Sequence, residues 1–413
     1  MKNRDSNEAL DLNEALERIT AMISPPFDAE TVPLQSALGR VSPHDIKARF
    51  ASPPFASSAM DGYAIADSSD KDVVGRRFRV VGESAAGKPF ERNFDPEDCI
   101  RIFTGAAVPP TARRVILQED CLREGAFILI NGDPEARSNI RPTGHDINAG
   151  ERLVSRGRLI TPVDLGRLAT DGRASVEVSR RLRVGVFSTG DELIDPANDG
   201  PLPFGCIYES NRQTLLGLLG GLPVERTDLG NLPDTADATR QALHNASRDQ
   251  DFIITSGGVS VGDHDHVKAA VESLGSLHFW KLNLKPGKPL AFGQIGKAWF
   301  CGLPGNPVSA IVTWLLVARP AVLAACGVGV VPPLKIPALL STTVAHKPGR
   351  TEYQRGQLTW NGEGDSPHVA IHGDQSSNRL STFQDTNCLI EIPKNSGDLV
   401  AGTKVAVLPF AAF

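Results

Sequence analysis

LRVGVFSTGDEL (182–193), NRQTLLGLLGGL (211–222), VERTDLG (224–230), DTADATRQALHNA (234–246) and DFIITSGGVSVGDHDH (251–266) alternate short apolar runs with segments of helical periodicity. Further short apolar runs follow at LHFWKLNL (277–284), PLAFGQI (289–295) and AWFCGL (298–303). This alternation predicts βαβ units on a mostly parallel, doubly wound sheet, because right-handed crossovers with helices on both faces are the standard way to bury such strands. We place this central α/β domain at residues 181–330.

Upstream, residues 45–136 carry Pro, Gly and short runs such as RRFRVVGES, CIRIFTG and RRVILQED, the pattern of a β-rich inserted module. Its flanks, 1–44 and 137–180, are read as one discontinuous helical and β linker domain. Leu12, Leu16, Ile19 and Ile23 recur at helical spacing before Pro25 and Pro26, and PVDLGRLATDG reads as a helix ended by Gly172. Residues 331–413 show only short apolar runs between turn residues, which predicts a C-terminal β-barrel. The whole is expected to be an elongated multidomain chain of class α/β plus β.

Composition narrows the function. Among 413 residues, 43 Lys and Arg stand against 48 Asp and Glu, a net charge of −5 that lacks the basicity phosphate backbones require. Nucleic acid is therefore not an expected partner. The N-terminus has no apolar signal core, and the apolar run Val308 to Cys326 contains Arg319 and Pro320, which suits a buried helix with a break better than a membrane span. A cytoplasmic location is expected. Six cysteines without a CxxC pair argue against a disulfide framework or a thiolate zinc site.

Ligands of open α/β sheets bind beyond the carboxyl ends of the strands, which directs attention to four loops. TGDEL carries Glu192. SGGVSVGDHDH carries Ser260 and Asp265 among glycines that let backbone N–H groups approach phosphate oxygens. KPGKP carries Lys285 and Lys288, with Lys281 four residues earlier. GLPGNPVSA, stiffened by Pro304 and Pro307, leads into a helix whose first N–H groups are expected to be free for an anion. Each feature also has an ordinary use: a Gly-rich loop is a tight turn, a KxxK pair a solvated surface, and Asp234 a helix N-cap. Glu192, Asp234 and Asp265 follow three different strands and are expected to meet at one crevice. Such carboxylates beside lysines suit a phosphate or oxyanion bridged to Mg²⁺. His264 and His266 lack a third nearby ligand and are not taken as zinc ligands.

PPFASSAMDGYAI (53–65), IFTGAAVPP (102–110), STGDEL, TSGGVSVGDHDHVK, WKLNLKPGKPLAFG and FCGLPGNPVSA together resemble the molybdopterin molybdenumtransferase family, which includes the E domain of gephyrin. The resemblance covers nearly the whole chain. It implies an enzyme that inserts molybdate into adenylated molybdopterin with Mg²⁺-dependent release of AMP, at a cleft between the subunits of a homodimer. It further implies that Asp61 and Thr104 complete the partner's cleft, and that Glu192, Asp234 and Asp265 serve the metal and nucleotide. Ser260, Lys281, Lys285, Lys288, Pro304 and Pro307 would line the pocket, while Arg355 in TEYQRGQL and Ser377 in DQSSNRLSTF would hold the oxyanion. Contact with the molybdopterin adenylyltransferase that supplies the substrate is also expected. Asp263, His266 and Asn378 depart from the residues usual in the family. Two other readings are the adenylyltransferase reaction itself, which would need only the α/β domain, and a non-catalytic scaffold, which would not need the pocket charges.

Overall fold

The computed structural model describes residues 9–24, 28–66, 73–132, 137–198, 200–232, 235–259, 266–329, 333–360, 362 and 366–412. A six-stranded sheet forms the centre, in the order Val224–Leu232, Leu182–Thr189, Phe252–Ser256, Ala298–Leu303, Pro289–Ile295, Gly275–Lys281. The first four strands are parallel, and Pro289–Ile295 runs antiparallel to both its neighbours, so the sheet is mixed rather than mostly parallel at that edge. The hairpin of PLAFGQI and AWFCGL has only two residues between its strands, too few for a crossover helix.

Side-chain alternation divides the apolar residues between two faces. Val184, Val186, Phe252, Ile254, Cys301 and Leu303 join the core shared with the helices Asn211–Leu219 and Pro307–Ala325. Phe187, Ile253 and Phe300 join the other, with the helices Ala236–Asp249 and His266–Leu274. Each fully buried Leu, Phe or Val contributes roughly 1.5–3 kcal/mol before entropy is counted.

Pro307–Ala325 is apolar and long enough to cross a membrane, yet it is mostly buried inside the fold. The break expected at Pro320 is absent. Residues Trp314–Ala318 wind as a π-helix and Arg319–Ala325 continues as α-helix, the wider turn absorbing the ring that would otherwise clash with the preceding carbonyls. The N-terminal helix Leu12–Met22, expected to pack with residues 137–180, instead lies against this helix, with Ala15 and Ile19 fully buried in the same core as Trp314. Its apolar stripe finds a larger surface there. Residues Ala29–Pro33 do pair with Ser175–Ser179, beside the helix Pro162–Thr170, whose start is held by a Thr161–Asp164 capping box.

The β-rich module is a six-stranded sheet in the order Arg114–Leu117, Gly62–Ile65, Asp98–Ile102, Arg77–Ser84, Phe127–Ile130, Cys121–Glu124. At the C-terminus, Thr351–Thr359, His368–Ile371, Ile336–Leu340, Lys404–Pro409 and Cys388–Ile392 close into a barrel through a second pairing between the first and last. Leu284–Lys285 adds to it in parallel with Thr351–Glu352, joining the KPGKP loop to the barrel wall.

Arg180 and Arg183 converge on Asp251, the residue before the strand Phe252–Ser256. Arg180 donates to both carboxylate oxygens at 2.6 and 3.0 Å, and Arg183 adds its backbone N–H at 2.9 Å. Burial by itself would raise the Asp251 pKa, but these donors outweigh it and hold the group at about 2. A carboxylate depressed on folding stabilises the native state above its unfolded value and loses that contribution as pH falls through the folded one. We expect wild-type stability to fall between about pH 5 and 2 by roughly 2 kcal/mol more than that of Asp251→Asn, whose pH profile should be flatter there. Thermal unfolding of both proteins across that range measures it; parallel profiles would remove Asp251 from the acid response.

Candidate functional site

Two cavities open at the carboxyl ends of the parallel strands. The first, about 660 Å³, is walled by Thr189, Glu192, Glu209, Asn211, the Gly257–Gly258 turn and the Pro304–Pro307 loop. Gly190 has φ +141°, and a Cβ there would lie 2.4 Å from the Glu192 carboxylate, so the turn that presents Glu192 requires glycine. Asn211 closes the wall by donating to Ser256 Oγ at 2.9 Å and to the Gly305 carbonyl at 2.7 Å.

The stretch from Glu192 to Glu209 leaves the sheet and returns. It is clasped by the short parallel pair Leu193–Ile194 and Ile207–Tyr208, and behind it stands Arg212, 1% exposed. Its guanidinium makes ion pairs with Asp195 at 2.6 Å and Asp228 at 2.8 Å, and donates to Ser188 and Asn231 at 3.1 and 2.9 Å. Glu209 accepts the Arg212 backbone N–H at 2.7 Å. Arg212 thus ties the Glu192 excursion to two sheet strands, which the expected site lacked. A signal was available: Arg212, Leu215 and Leu219 share one helical face, and an arginine on an apolar stripe needs buried partners.

The second cavity, about 420 Å³, lies between the KPGKP loop and the barrel. Lys285, Lys288, Arg350, Glu352, Ser309 and the Gln375–Ser377 turn line it, and it shares Pro289, Pro304 and Asn306 with the first. Gly287 sits at φ +104°, and a Cβ there would lie 2.3 Å from a Thr313 methyl, so this loop packs flat on the helix beneath it. The N–H groups expected to be free at Pro307 are partly used, since Val308 donates to the Ser377 carbonyl at 3.0 Å. That bond stitches the barrel's 374–379 turn to the α/β domain.

Of the expected site residues, Glu192, Lys285, Lys288, Pro304, Pro307 and Ser377 line one or both cavities. Asn378 faces the first and Ser377 the second. Lys281, at the end of the edge strand, lines neither. Asp234, Ser260 and Asp265, with Asp263 and His264, lie outside the described residues. The N-cap expected of Asp234 falls to Thr235. Among the described residues no three His, Cys, Asp or Glu side chains are grouped to hold a metal. Asp61 and Thr104 form a unit on the β-rich module: Asp61 accepts the Thr104 N–H and hydroxyl, each at 2.7 Å, and these bonds lower its pKa from the ordinary value. Neither residue lines either cavity.

Arg355 departs from its expected role. It is fully buried, stacks over Phe383, and donates through Nη2 to the carbonyls of Asp374 and Ser376 at 3.0 and 3.2 Å. It therefore shapes the turn that carries Ser377 and does not reach the cavity. Replacing it with lysine keeps the charge but loses the planar group that lies over Phe383 and the fixed placement of Nη2 between the two carbonyls. Arg355→Lys should cost roughly 1–3 kcal/mol of stability without any ligand present, read from chemical denaturation. An arginine that acted only on a bound anion would leave ligand-free stability unchanged.

Three family descriptions match successive parts of the chain: "MoeA N-terminal region (domain I and II)" over residues 10–172, "Probable molybdopterin binding domain" over 185–324, and "MoeA C-terminal region (domain IV)" over 337–410. The molybdopterin molybdenumtransferase of Haemophilus influenzae is 38% identical, over 97% of this chain and 98% of that protein. Gephyrin of Dictyostelium discoideum is 30% identical over 92% of this chain, which spans 59% of that longer protein. The crystal structure of the molybdopterin biosynthesis moeA protein from Pyrococcus horikoshii OT3 superposes with a TM-score of 0.82 at 29% identity, covering 98% of this chain and all of that one. With its three-part match, a full-length relative at this identity and a shared architecture throughout, the chain belongs to the molybdopterin molybdenumtransferase family.

Proposed function

We propose that this chain inserts molybdate into adenylated molybdopterin with Mg²⁺-dependent release of AMP, working as a cytoplasmic homodimer that receives its substrate from the molybdopterin adenylyltransferase. The observation that carries this reading is the continuity of two cavities of unlike chemistry. One offers a carboxylate, amides and a glycine turn; the other offers Lys285, Lys288 and Arg350; they share Pro289, Pro304 and Asn306. A ligand with a phosphoanhydride at one end and an oxyanion-accepting dithiolene at the other suits that pair.

Glu192 fits Mg²⁺, a hard cation commonly held by one or two carboxylates together with substrate phosphates. Asp234 and Asp265, on neighbouring loops of the sequence, would complete the donor set. Bound there, the ion would polarise the phosphoanhydride toward attack. The chain's own groups do the rest. The Gly257–Gly258 turn lets backbone approach phosphate, Arg212 keeps the Glu192 excursion in place, and Lys285, Lys288 and Arg350 draw the oxyanion into the second cavity. Dimer formation is supported by Asp61 and Thr104, a preorganised polar pair that lines neither of these two cavities and would serve its partner's.

The decisive assay follows AMP release from adenylated molybdopterin with Mg²⁺, with and without molybdate, coupled to activation of a cofactor-free molybdenum enzyme. Molybdate-dependent release with activation is expected; substrate binding without either would sink the reading. Asp265→Asn should stay folded and lose metal-dependent AMP release, since a neutral amide is a poor Mg²⁺ ligand. Mixing inactive Asp61→Ala and Lys285→Ala subunits should recover part of the activity through one intact cleft per heterodimer, and absence of rescue would count against a shared site.

A further inference from the structure

The second cavity holds a group that an oxyanion pocket does not obviously need. Glu352 is 5% exposed and lines the cavity together with Lys285, Lys288 and Arg350. Its Oε1 lies 3.0 Å from Lys285 Nζ and accepts from Gln354 Nε2 at 3.1 Å, and its Oε2 lies 3.9 Å from His346 Nε2. His346 is itself buried, with its two ring nitrogens 2.9 and 3.2 Å from the carbonyls of Ser396 and Arg350. Lys285 and Glu352 are also direct partners in the parallel pairing that joins the KPGKP loop to the barrel. The ion pair is therefore set by the register between two domains. The lysine side chain is 54% exposed and the glutamate 7%, so the cation stands at the cavity and the carboxylate beneath it.

We propose that Glu352 is a specificity-determining residue that trims the charge of this cavity and so moderates its preference for a doubly over a singly charged tetrahedral oxyanion. The inference rests on reading the cavity as the oxyanion pocket. With Glu352 ionised, the three cations and one carboxylate lining the cavity leave a formal +2 where the cations alone would give +3. The carboxylate holds Lys285 in the resting state, and an incoming anion competes with it for the ammonium. Its repulsion scales with ligand charge, so its removal helps a dianion more than a monoanion of the same shape.

Molybdate and perrhenate supply that comparison, both tetrahedral oxyanions, one doubly and one singly charged. Their affinities for the full-length protein are measured by calorimetry at fixed salt. Glu352→Gln should bind perrhenate roughly threefold and molybdate roughly tenfold more tightly, the size of one well-screened charge acting on one and on two. Equal affinities in wild type and variant, with wild type still binding molybdate, would overturn the role of Glu352 and leave the pocket reading intact. Failure of wild type to bind either anion would instead overturn the pocket reading. Should the single variant not fold, Lys285→Ala and Lys285→Ala/Glu352→Gln give the same test. The first lowers the cavity charge and should weaken molybdate binding; the second restores it to +2 and should recover most of that affinity, a rescue that a purely structural Glu352 would not produce.

Discussion

The arrangement of the site depends on one short strand pairing. Leu284–Lys285 leaves the edge of the α/β sheet and adds to the barrel beside Thr351–Glu352, while Val308 at the start of the buried helix donates its N–H to the barrel's Ser377 carbonyl. These backbone bonds add to the apolar contact by which the barrel's Tyr353, Leu389 and Leu408 join the core around Trp314, while the barrel keeps a further core around Val369 and Ile390. They fix the register at which the lysines of KPGKP face the Gln375–Ser377 turn across the second cavity.

A second theme is the use of buried arginines as scaffolding. Arg212 gathers two aspartates and two sheet residues behind the Glu192 excursion, and Arg355 grips two carbonyls behind the Ser377 turn. Each is fully enclosed, and each works on backbone or side chains that carry the site. A guanidinium suits this task because its rigid plane fixes where each N–H points, and in Arg212 several acceptors met at once offset the cost of taking a charge out of water. Of the groups that face the cavities, Glu192 and Ser377 are held on short loops by these hidden contacts.

Much of this was legible in the sequence. The short apolar runs VGVFS and FIITS, alternating with segments of helical periodicity, marked the buried strands, and the helix, Gly and Pro signals placed the loops at the strand ends. Glu192, Lys285, Lys288, Pro304 and Pro307 were reachable because each lies on a loop beyond a predicted strand. Lys281 was drawn in by its spacing, yet a β-strand sends alternate residues to opposite faces and it ends outside both cavities. Arg355 was assigned through the family resemblance, and Glu352, three residues before it, was passed over because an acid in a cationic site has no local signature.

The sequence by itself determined the element types, the order of the loops and the family, since these rest on periodicity, turn chemistry and motifs that are local in the chain. Only the tertiary structure decided that the edge hairpin runs antiparallel, that the N-terminal helix packs on Pro307–Ala325, that Arg355 faces inward, and that Glu352 meets Lys285. Those outcomes depend on contacts between residues far apart in sequence, where competing surfaces and charges are settled by which apolar face buries more area and which acceptor a fixed guanidinium or ammonium can reach.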